Sequence, residues 1–391
     1  MPDGLLSGVR ILDFSALLPG PFGTVILGDL GADVIKVEPP KGDFARHMPL
    51  DIFRMANRNK RGIALDLKHP GSTAIVDRLT QWADVVVEGF RPGVAERIGI
   101  GPKRLRGLKP SLVYCSISGF GQTGPWQDRP GHEITYLAAG GGLNFLGHWD
   151  DTKPKRSGIP VADLTGSSFL AVSVLAALLR ARATGEGATL DISLTEAVMA
   201  LAQTRRGLDV DDQGRSYLWP TNDLFETSDG RLIALGVIEA HFWDGLVRAM
   251  RQEALTLSEP RFASDASRRE NGTELFNLLT DAFRRHDART WLDRLADNDV
   301  PATLVLSPRE AANSEQAQAR DLVRSKDGER HLPFPVVVDG TPGGRLDTLA
   351  GSIGQHTAQI LTELGYSRTE IDTLETDGAI AMASETSLEH S

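Results

Sequence analysis

The chain reads as an α/β protein built on a parallel sheet, with a smaller α+β domain in its second half. Three observations predict this. The first 120 residues alternate short β-branched runs with amphipathic stretches of about a dozen residues, the pattern of right-handed βαβ units. After residue 200 the composition changes, and "LFETSDGRLIALGVI" reads as a hairpin turning at Asp229-Gly230. At 391 residues the chain also exceeds the usual size of a single hydrophobic core, so two domains are the default.

Taken in order, "GVRILDF" reads as a strand and "PFGTVILGDLGA" as a helix with apolar residues at helical spacing. "DVIKVEPP" is a strand stopped by two prolines, "STAIVDRLTQWA" a helix, and "DVVVEGF" and "LVYCSISGF" two further strands. The segments "VEPPKGD", "EGFRPGV" and "SGFGQTGP" follow strand ends, where ligands of parallel sheets bind. "FLAVSVLAALL" reads as a buried helix, well short of the roughly 20 residues of a membrane span. Residues 217–310 form the expected second domain. "HLPFPVVVDGTPGG" returns to extended structure, "GQHTAQILTELGYSRTEIDTLETDG" closes as a helical hairpin, and "SETSLEHS" reads as a frayed end.

Composition excludes several classes. A net charge of -10 without a basic stretch argues against nucleic acid as a partner. The single cysteine, Cys115, excludes an intrachain disulfide framework, fits a reducing cytoplasm and sits in a strand-like apolar run as a core residue. No signal peptide, no metal-ligand spacing and no phosphate loop is visible. The expectation is a cytoplasmic protein that binds no metal and does not engage a membrane.

The segment "RPGHEITYLAAGGG" (129–142) sets the functional question, because His132 and Glu133 lie together between a Pro-Gly turn and a run of glycines. Locally they read as a polar pair at a helix start. The glycines at 140–142 lack the GxGxxG spacing after a strand and read as a flexible pocket wall.

The segments "LSGVRILDFSALLPGPFGTVILGDLGADVIKVEPPKGD", "NRNKRGIALDLKHPG", "ADVVVEGFRPGVAERIGIG", "SGFGQTGP", "ATGEGATLDISLTEAV" and "GQHTAQILTELGYS" together resemble the family III coenzyme A transferases (the CaiB/BaiF family). That family includes the α-methylacyl-CoA racemases. The resemblance runs through nearly the whole chain. It implies a Rossmann-like large domain made of both chain ends (1–200 and 325–380), a small α+β domain at 217–310, linkers at 200–216 and 311–324, and an interlocked homodimer. It also implies active sites shared between the large domain of one subunit and the small domain of its partner.

Gly131, His132 and Tyr136 match the Gly-His-Asp-x-Asn-Tyr motif of the racemase branch, while Glu133 and Thr135 depart from it. Asp163 in "IPVADLTG" aligns with the carboxylate that is catalytic across the family, and Glu239 in "LGVIEAHFW" with the glutamate that orients the histidine. Ile159 stands where racemases carry asparagine, and "YLWP" (217–220) where they carry a Gly-Gly-Ala-Pro stretch. The matching coenzyme A positions are Leu65, Asp66, Leu67 and Lys68, then Gly89, Phe90, Arg91 and Arg97. Arg58, Lys60 and Arg61 form a basic cluster nearby, and Pro39 replaces a family arginine near the nucleotide. His241 and Trp243 are equally suited to an acyl pocket and to core packing.

Racemising a 2-methylacyl-CoA thioester removes the α-proton from one face and returns one to the other, so two acid/base groups must flank that carbon. His132 and Asp163 fit these roles, with amides at the start of the "DLTGSS" helix stabilising the enolate. The alternative is a CoA-transferase in which the Asp163 carboxylate attacks the thioester and forms a mixed anhydride. A non-catalytic acyl-CoA-binding homologue is the plainer alternative. In each case coenzyme A enters as the thioester substrate, and no permanently bound cofactor is expected.

Overall fold

The computed structural model describes residues 4–48, 51–205 and 217–383. The chain opens with β1 (Arg10–Asp13), α1 (Pro19–Asp29), β2 (Asp33–Glu38), α2 (Ile52–Asn57), β3 (Lys60–Leu65), α3 (Ser72–Trp82) and β4 (Val85–Glu88). It continues through α4 (Val94–Arg97), α5 (Pro102–Leu108), β5 (Val113–Ser118), α6 (Glu133–Ala139), α7 (Val161–Thr184), β6 (Thr189–Ser193) and α8 (Leu194–Ala202). A second set comprises β7 (Leu224–Glu226), β8 (Leu232–Leu235), α9 (Ala240–Ala249), α10 (Asp265–Glu270), α11 (Gly272–Phe283), α12 (Ala288–Asp297) and β9 (Ala302–Leu304). The chain then runs through α13 (Pro308–Ala312), α14 (Glu315–Arg320), two short hairpins, α15 (Thr357–Glu363), α16 (Arg368–Thr376) and a last strand. The hairpins are β10 (Arg324–Lys326) with β11 (Glu329–His331), and β12 (Val337–Val338) with β13 (Thr341–Pro342); the last strand is β14 (Ile380–Ala381).

Seven strands form one sheet in the order β14-β3-β2-β1-β4-β5-β6, parallel except for β14, which runs antiparallel to β3. β4 is buried along its whole length, which is why its sequence is a continuous Val-Val-Val run. Alternate residues serve opposite faces. Leu12, Val86 and Tyr114 pack with α3, α15 and α16 on one side, while Ile11, Val85 and Cys115 pack with α1 and α7 on the other. Cys115 is thus a core residue.

β3 and β6 do not stand out as strands in the sequence. β3 begins Lys-Arg-Gly, residues that look solvated, yet Lys60 is buried against Asp13 at 3.0 Å, and Arg61 bridges Asp33 and Glu363. Arg58 is buried too, with its guanidinium on Asp29 at 2.6 Å. The basic cluster expected near coenzyme A is therefore occupied by intrachain ion pairs. β6 is an edge strand of alternating exposure.

α7 runs for 24 residues, longer than its apolar core suggested, and is long and apolar enough by length and composition to cross a membrane. Its packing explains the composition: Leu170 and Val174 lie in the core beneath the sheet, and Ser167 Oγ donates to the Pro19 carbonyl. The helix is not wholly buried, however. Phe169, Val172 and Leu179 are exposed, the last two by 65% and 72%.

The C-terminal return is fastened by Asp29 and Asn59. Asp29 accepts from Arg58, from Asn59 Nδ2 and from the Phe334 amide. Asn59, held at a φ of 58°, accepts the Asp347 and Thr348 amides on its side-chain oxygen and donates to the Arg345 carbonyl. Asparagine tolerates this left-handed conformation better than most residues.

The chain divides into two compact units, the second formed by Leu143–Arg156 and Gln203–Ser314. Stretch 143–156 was expected to belong with the N-terminal domain. It joins the second unit because His148 Nδ1 pairs with Asp223 at 2.8 Å, Tyr217 bonds the Leu146 carbonyl, and Trp149 lies over Gly272, where a Cβ would meet its ring at 2.3 Å. The three strands β7, β8 and β9 are antiparallel, and Phe225, Trp243, Phe283 and Trp291 lie in that unit's core. Trp243 is thus a packing residue, whereas His241 is exposed. The expected crossing at 311–324 holds the end of α13 and all of α14. Most of the other, 206–216, lies outside the described residues, as does the polar end at 384–391.

Candidate active site

The strand order β3-β2-β1-β4-β5-β6 reverses direction between β1 and β4, and a parallel sheet of this kind opens a ligand crevice there, beyond the carboxyl ends of the strands. β1 delivers Asp13 and Ser15 to this edge. Burial alone would push the Asp13 carboxyl up, but Lys60, Lys36 and the Ser15 and Thr24 hydroxyls outweigh it and hold the group at about 2. Asp13 is therefore a fixed anion that anchors two lysines under the crevice floor, with Lys36 also paired to Asp43 at 3.0 Å.

β4 delivers Glu88 and, beyond it, Gly89, Phe90 and Arg91. Glu88 is buried, and burial pushes its carboxyl up to about 7 against the bonds from Ser116 and the Phe90 amide, the latter 2.8 Å long. Phe90 packs against the core on the α3 face of the sheet, whereas Gly89 and Arg91 are exposed. Three strands away, β3 ends at the buried Leu65. Asp66 accepts the Lys68 amide at 3.0 Å, Leu67 is half-buried and Lys68 is exposed. Arg97, at the end of α4, is exposed too. Among the described residues none of Lys68, Arg91 and Arg97 forms an ion pair, in contrast to the occupied cluster at 58–61. The ends of β3 and β4 stand three strand spacings apart, roughly 14 Å, so these cations flank an extended edge.

The loop after β5 leads to α6. His132 is its N-cap residue, in extended conformation at a φ of -141°. The Thr135 hydroxyl accepts the His132 N–H at 2.9 Å and donates to the His132 carbonyl at 2.7 Å, so the departing threonine secures the helix start and the imidazole is exposed. Tyr136 lies over two glycines: a Cβ at Gly119 or Gly131 would stand 2.2 Å or 2.4 Å from its ring. Burial raises the Tyr136 hydroxyl, the charge of Asp163 raises it further, and Arg91 opposes both, so Asp163 and Arg91 are each within electrostatic reach of Tyr136.

Glu133 does what neither its neighbour nor its spacing announces. Its two carboxylate oxygens accept the amides of Ala162 at 3.1 Å and Asp163 at 2.9 Å, in the first turn of α7. This ties α6 to α7 and brings His132 and Asp163, 31 residues apart, into one neighbourhood. Asp163 is half-buried, and burial together with the adjacent Glu133 charge pushes its carboxyl up to about 7.

Two expectations need correction. The amides at the start of the Asp163 helix were assigned to an enolate oxygen, but those of Ala162 and Asp163 are already taken by Glu133. Gly140 and Gly142 are not part of a flexible wall, since a Cβ at either would meet Val198 or Leu137 at 2.6 Å, while Gly141 has open space around it. Their absence of side chains lets α6 approach α8. Glu239 lies in the second unit as the exposed N-cap residue of α9.

The model of the family described as CoA-transferase family III matches residues 6–357. The chain belongs to CoA-transferase family III. Similar members of this family include a succinyl-CoA–D-citramalate CoA-transferase of Chloroflexus aurantiacus, 33% identical over 93% of this chain and 94% of that protein. The human alpha-methylacyl-CoA racemase is 29% identical over 96% and 97%. A solved CAIB/BAIF family protein from Brucella suis superposes with a TM-score of 0.81 at 27% identity, covering 93% of this chain and all of that one. CoA-transferase family III is thus an enzyme family acting on acyl-CoA thioesters, and its transferases and racemases stand at similar distances from this chain.

Proposed function

We propose that the chain racemises or epimerises a 2-methylacyl-CoA thioester by proton transfer at the α-carbon. The observation that carries this reading is Asp163, a carboxyl poised at about 7 beside the His132–Glu133 pair. A proton-transfer group works best when its pKa lies near the working pH. One of His132 and Asp163 takes the α-proton while the C–H electron pair moves onto the thioester oxygen as an enolate. The other then delivers a proton to the opposite face. Lys68, Arg91 and Arg97 are proposed to meet the phosphates of coenzyme A, with Leu65 to Leu67, Gly89 and Phe90 along its path and Gly131 and Tyr136 beside the acyl end. Glu239 enters by resemblance, as the carboxylate that orients the imidazole across the subunit interface of a homodimer.

A second reading is favoured by the amides that Glu133 occupies, because that pair no longer serves an enolate. In it the Asp163 carboxylate attacks the thioester carbon and CoA leaves as its thiolate. The thiolate attacks the Asp163 carbonyl of the resulting anhydride and releases the donor acid. The acceptor carboxylate then displaces CoA to form a second anhydride, whose acceptor acyl carbon the thiolate attacks to regenerate Asp163.

Incubating the protein with one enantiomer of a 2-methylacyl-CoA in deuterium oxide separates the two readings. Racemisation with α-deuterium uptake and no acceptor acid is the expected result. Transfer of CoA to an added carboxylate without exchange would replace the racemase by the transferase. His132→Ala should abolish exchange from one enantiomer with little change in stability, since the imidazole is exposed. Arg91→Ala should raise KM more at low salt than at high, because a charge contact is lost.

A homodimer belongs to the same proposal. The exposed Phe169, Val172 and Leu179 on α7 support it, as apolar helix faces are normally covered. An active monomer in sedimentation at assay concentration would remove it.

A further inference from the structure

We propose that Glu133 is the positioning residue of the site: by taking the first amides of α7 it leaves the Asp163 carboxylate free of its own helix and keeps a second negative charge beside it. The inference rests on Asp163 being the reacting carboxyl of the proposed function.

A helix start presents amides with no intrahelical acceptor, and the usual remedy is a side-chain oxygen at the N-cap. α7 has Pro160 at that place, with no side-chain acceptor to offer. Asp163 itself is the third residue of the helix. Asp and Glu in a first turn are drawn to its free amides and positive dipole end, which would hold the carboxylate ionised and engaged. Glu133 reaches in from 30 residues away and accepts the Ala162 and Asp163 amides, one on each oxygen. Among the described residues the Asp163 carboxylate consequently accepts no hydrogen bond.

The same contact has an electrostatic effect. Two carboxylates in a half-buried place disfavour ionisation of the one without hydrogen bonds. Burial and Glu133 are the two causes that raise Asp163, and of these only Glu133 can be removed without reshaping the helix. Glutamate also has the length for this. An aspartate at 133 would be shorter by one methylene and would have to draw α6 closer to reach both amides.

The test follows the Asp163 carboxyl by infrared spectroscopy across pH, identified as the band lost in Asp163→Asn, in the full-length protein. In Glu133→Gln the midpoint should fall from about 7 toward the ordinary carboxylate range, and the pH profile of α-proton exchange should shift the same way. Glu133→Asp, which restores the charge, should recover much of the midpoint. An unchanged Asp163 midpoint in a folded Glu133→Gln protein overturns the inference. Hydrogen exchange of the wild type gives a measurement that needs no variant to fold: the Ala162 and Asp163 amides should be protected. Their exchange at the rate of free helix-start amides would equally overturn it. If the midpoint falls as expected but no variant nor the wild type exchanges an α-proton or transfers CoA, the positioning role stands and the catalytic reading fails.

Discussion

Asp163 makes the folded chain less stable as pH rises. Its carboxyl titrates at about 7 in the folded protein against an ordinary 3.8, so the folded state holds the proton more tightly than the unfolded chain does. The stability this represents is fully present below about 3.8 and is lost progressively as pH climbs to 7. A shift of that size corresponds to about 4 kcal/mol, which the partial exposure of the carboxyl reduces to about 2–4 kcal/mol. Asp163→Asn, which cannot ionise, should therefore be more stable than the wild type at pH 8 by about that amount. The advantage should vanish near pH 4. Urea denaturation at the two pH values measures it, and equal stabilities at pH 8 would show that the carboxyl is not strained. At this scale the resemblance singled out His132 and Tyr136 in one segment and Asp163 in another as expected site residues. The contact of Glu133 with the Ala162 and Asp163 amides was not legible, because these lie 29 and 30 residues further along and leave no local signature.

Among the elements, α6 depends on what its neighbours lack. Gly131 gives Tyr136 the space for its ring, and a methyl group there would also stand 2.8 Å from the Thr135 hydroxyl that secures the helix start. Gly131→Ala should cost about 1–3 kcal/mol through overpacking and should lower activity by displacing Tyr136 and the His132 backbone together. Thermal unfolding with an exchange assay checks both, and a fully stable, fully active variant would mean that the ring has room to move. The βαβ elements were readable because buried parallel strands leave uninterrupted β-branched runs. β3 was masked by Lys60 and Arg61, whose burial depends on Asp13, Asp33 and Glu363, residues no window around the strand contains. β14, at two residues, is too short for periodicity to register.

For the whole molecule, the fastening at Asp29 and Asn59 joins residues 286 to 305 positions apart. Removing Asp29 leaves the buried Arg58 guanidinium without its carboxylate and frees the Phe334 amide. Asp29→Ala should cost about 3–5 kcal/mol, the loss typical of an orphaned buried charge. Chemical denaturation measures this, and a loss below 1 kcal/mol would mean that water or another side chain takes over the guanidinium. Two compact units were foreseeable from length and composition. The membership of Leu143–Arg156 was not, since it is decided by contacts such as His148 with Asp223 and Trp149 over Gly272, not by any change in composition.

The antiparallel pairing of β14 on β3 matters while the chain is being made. Leu65 leaves the ribosome some 315 residues before its partner Ile380, a delay of roughly 15–60 s at ordinary elongation rates. Until residues 348–357 and then β14 follow, the outer edge of β3 presents unpaired backbone groups, a template for any other extended chain nearby. Truncation before Thr348 would make that transient state permanent, because Thr348, His356 and Thr357 meet the backbone of Asn59, Gly62 and Ala64 before β14 is added. Such a protein should emerge from cells chiefly as aggregate, even though every residue of the proposed site has been synthesised.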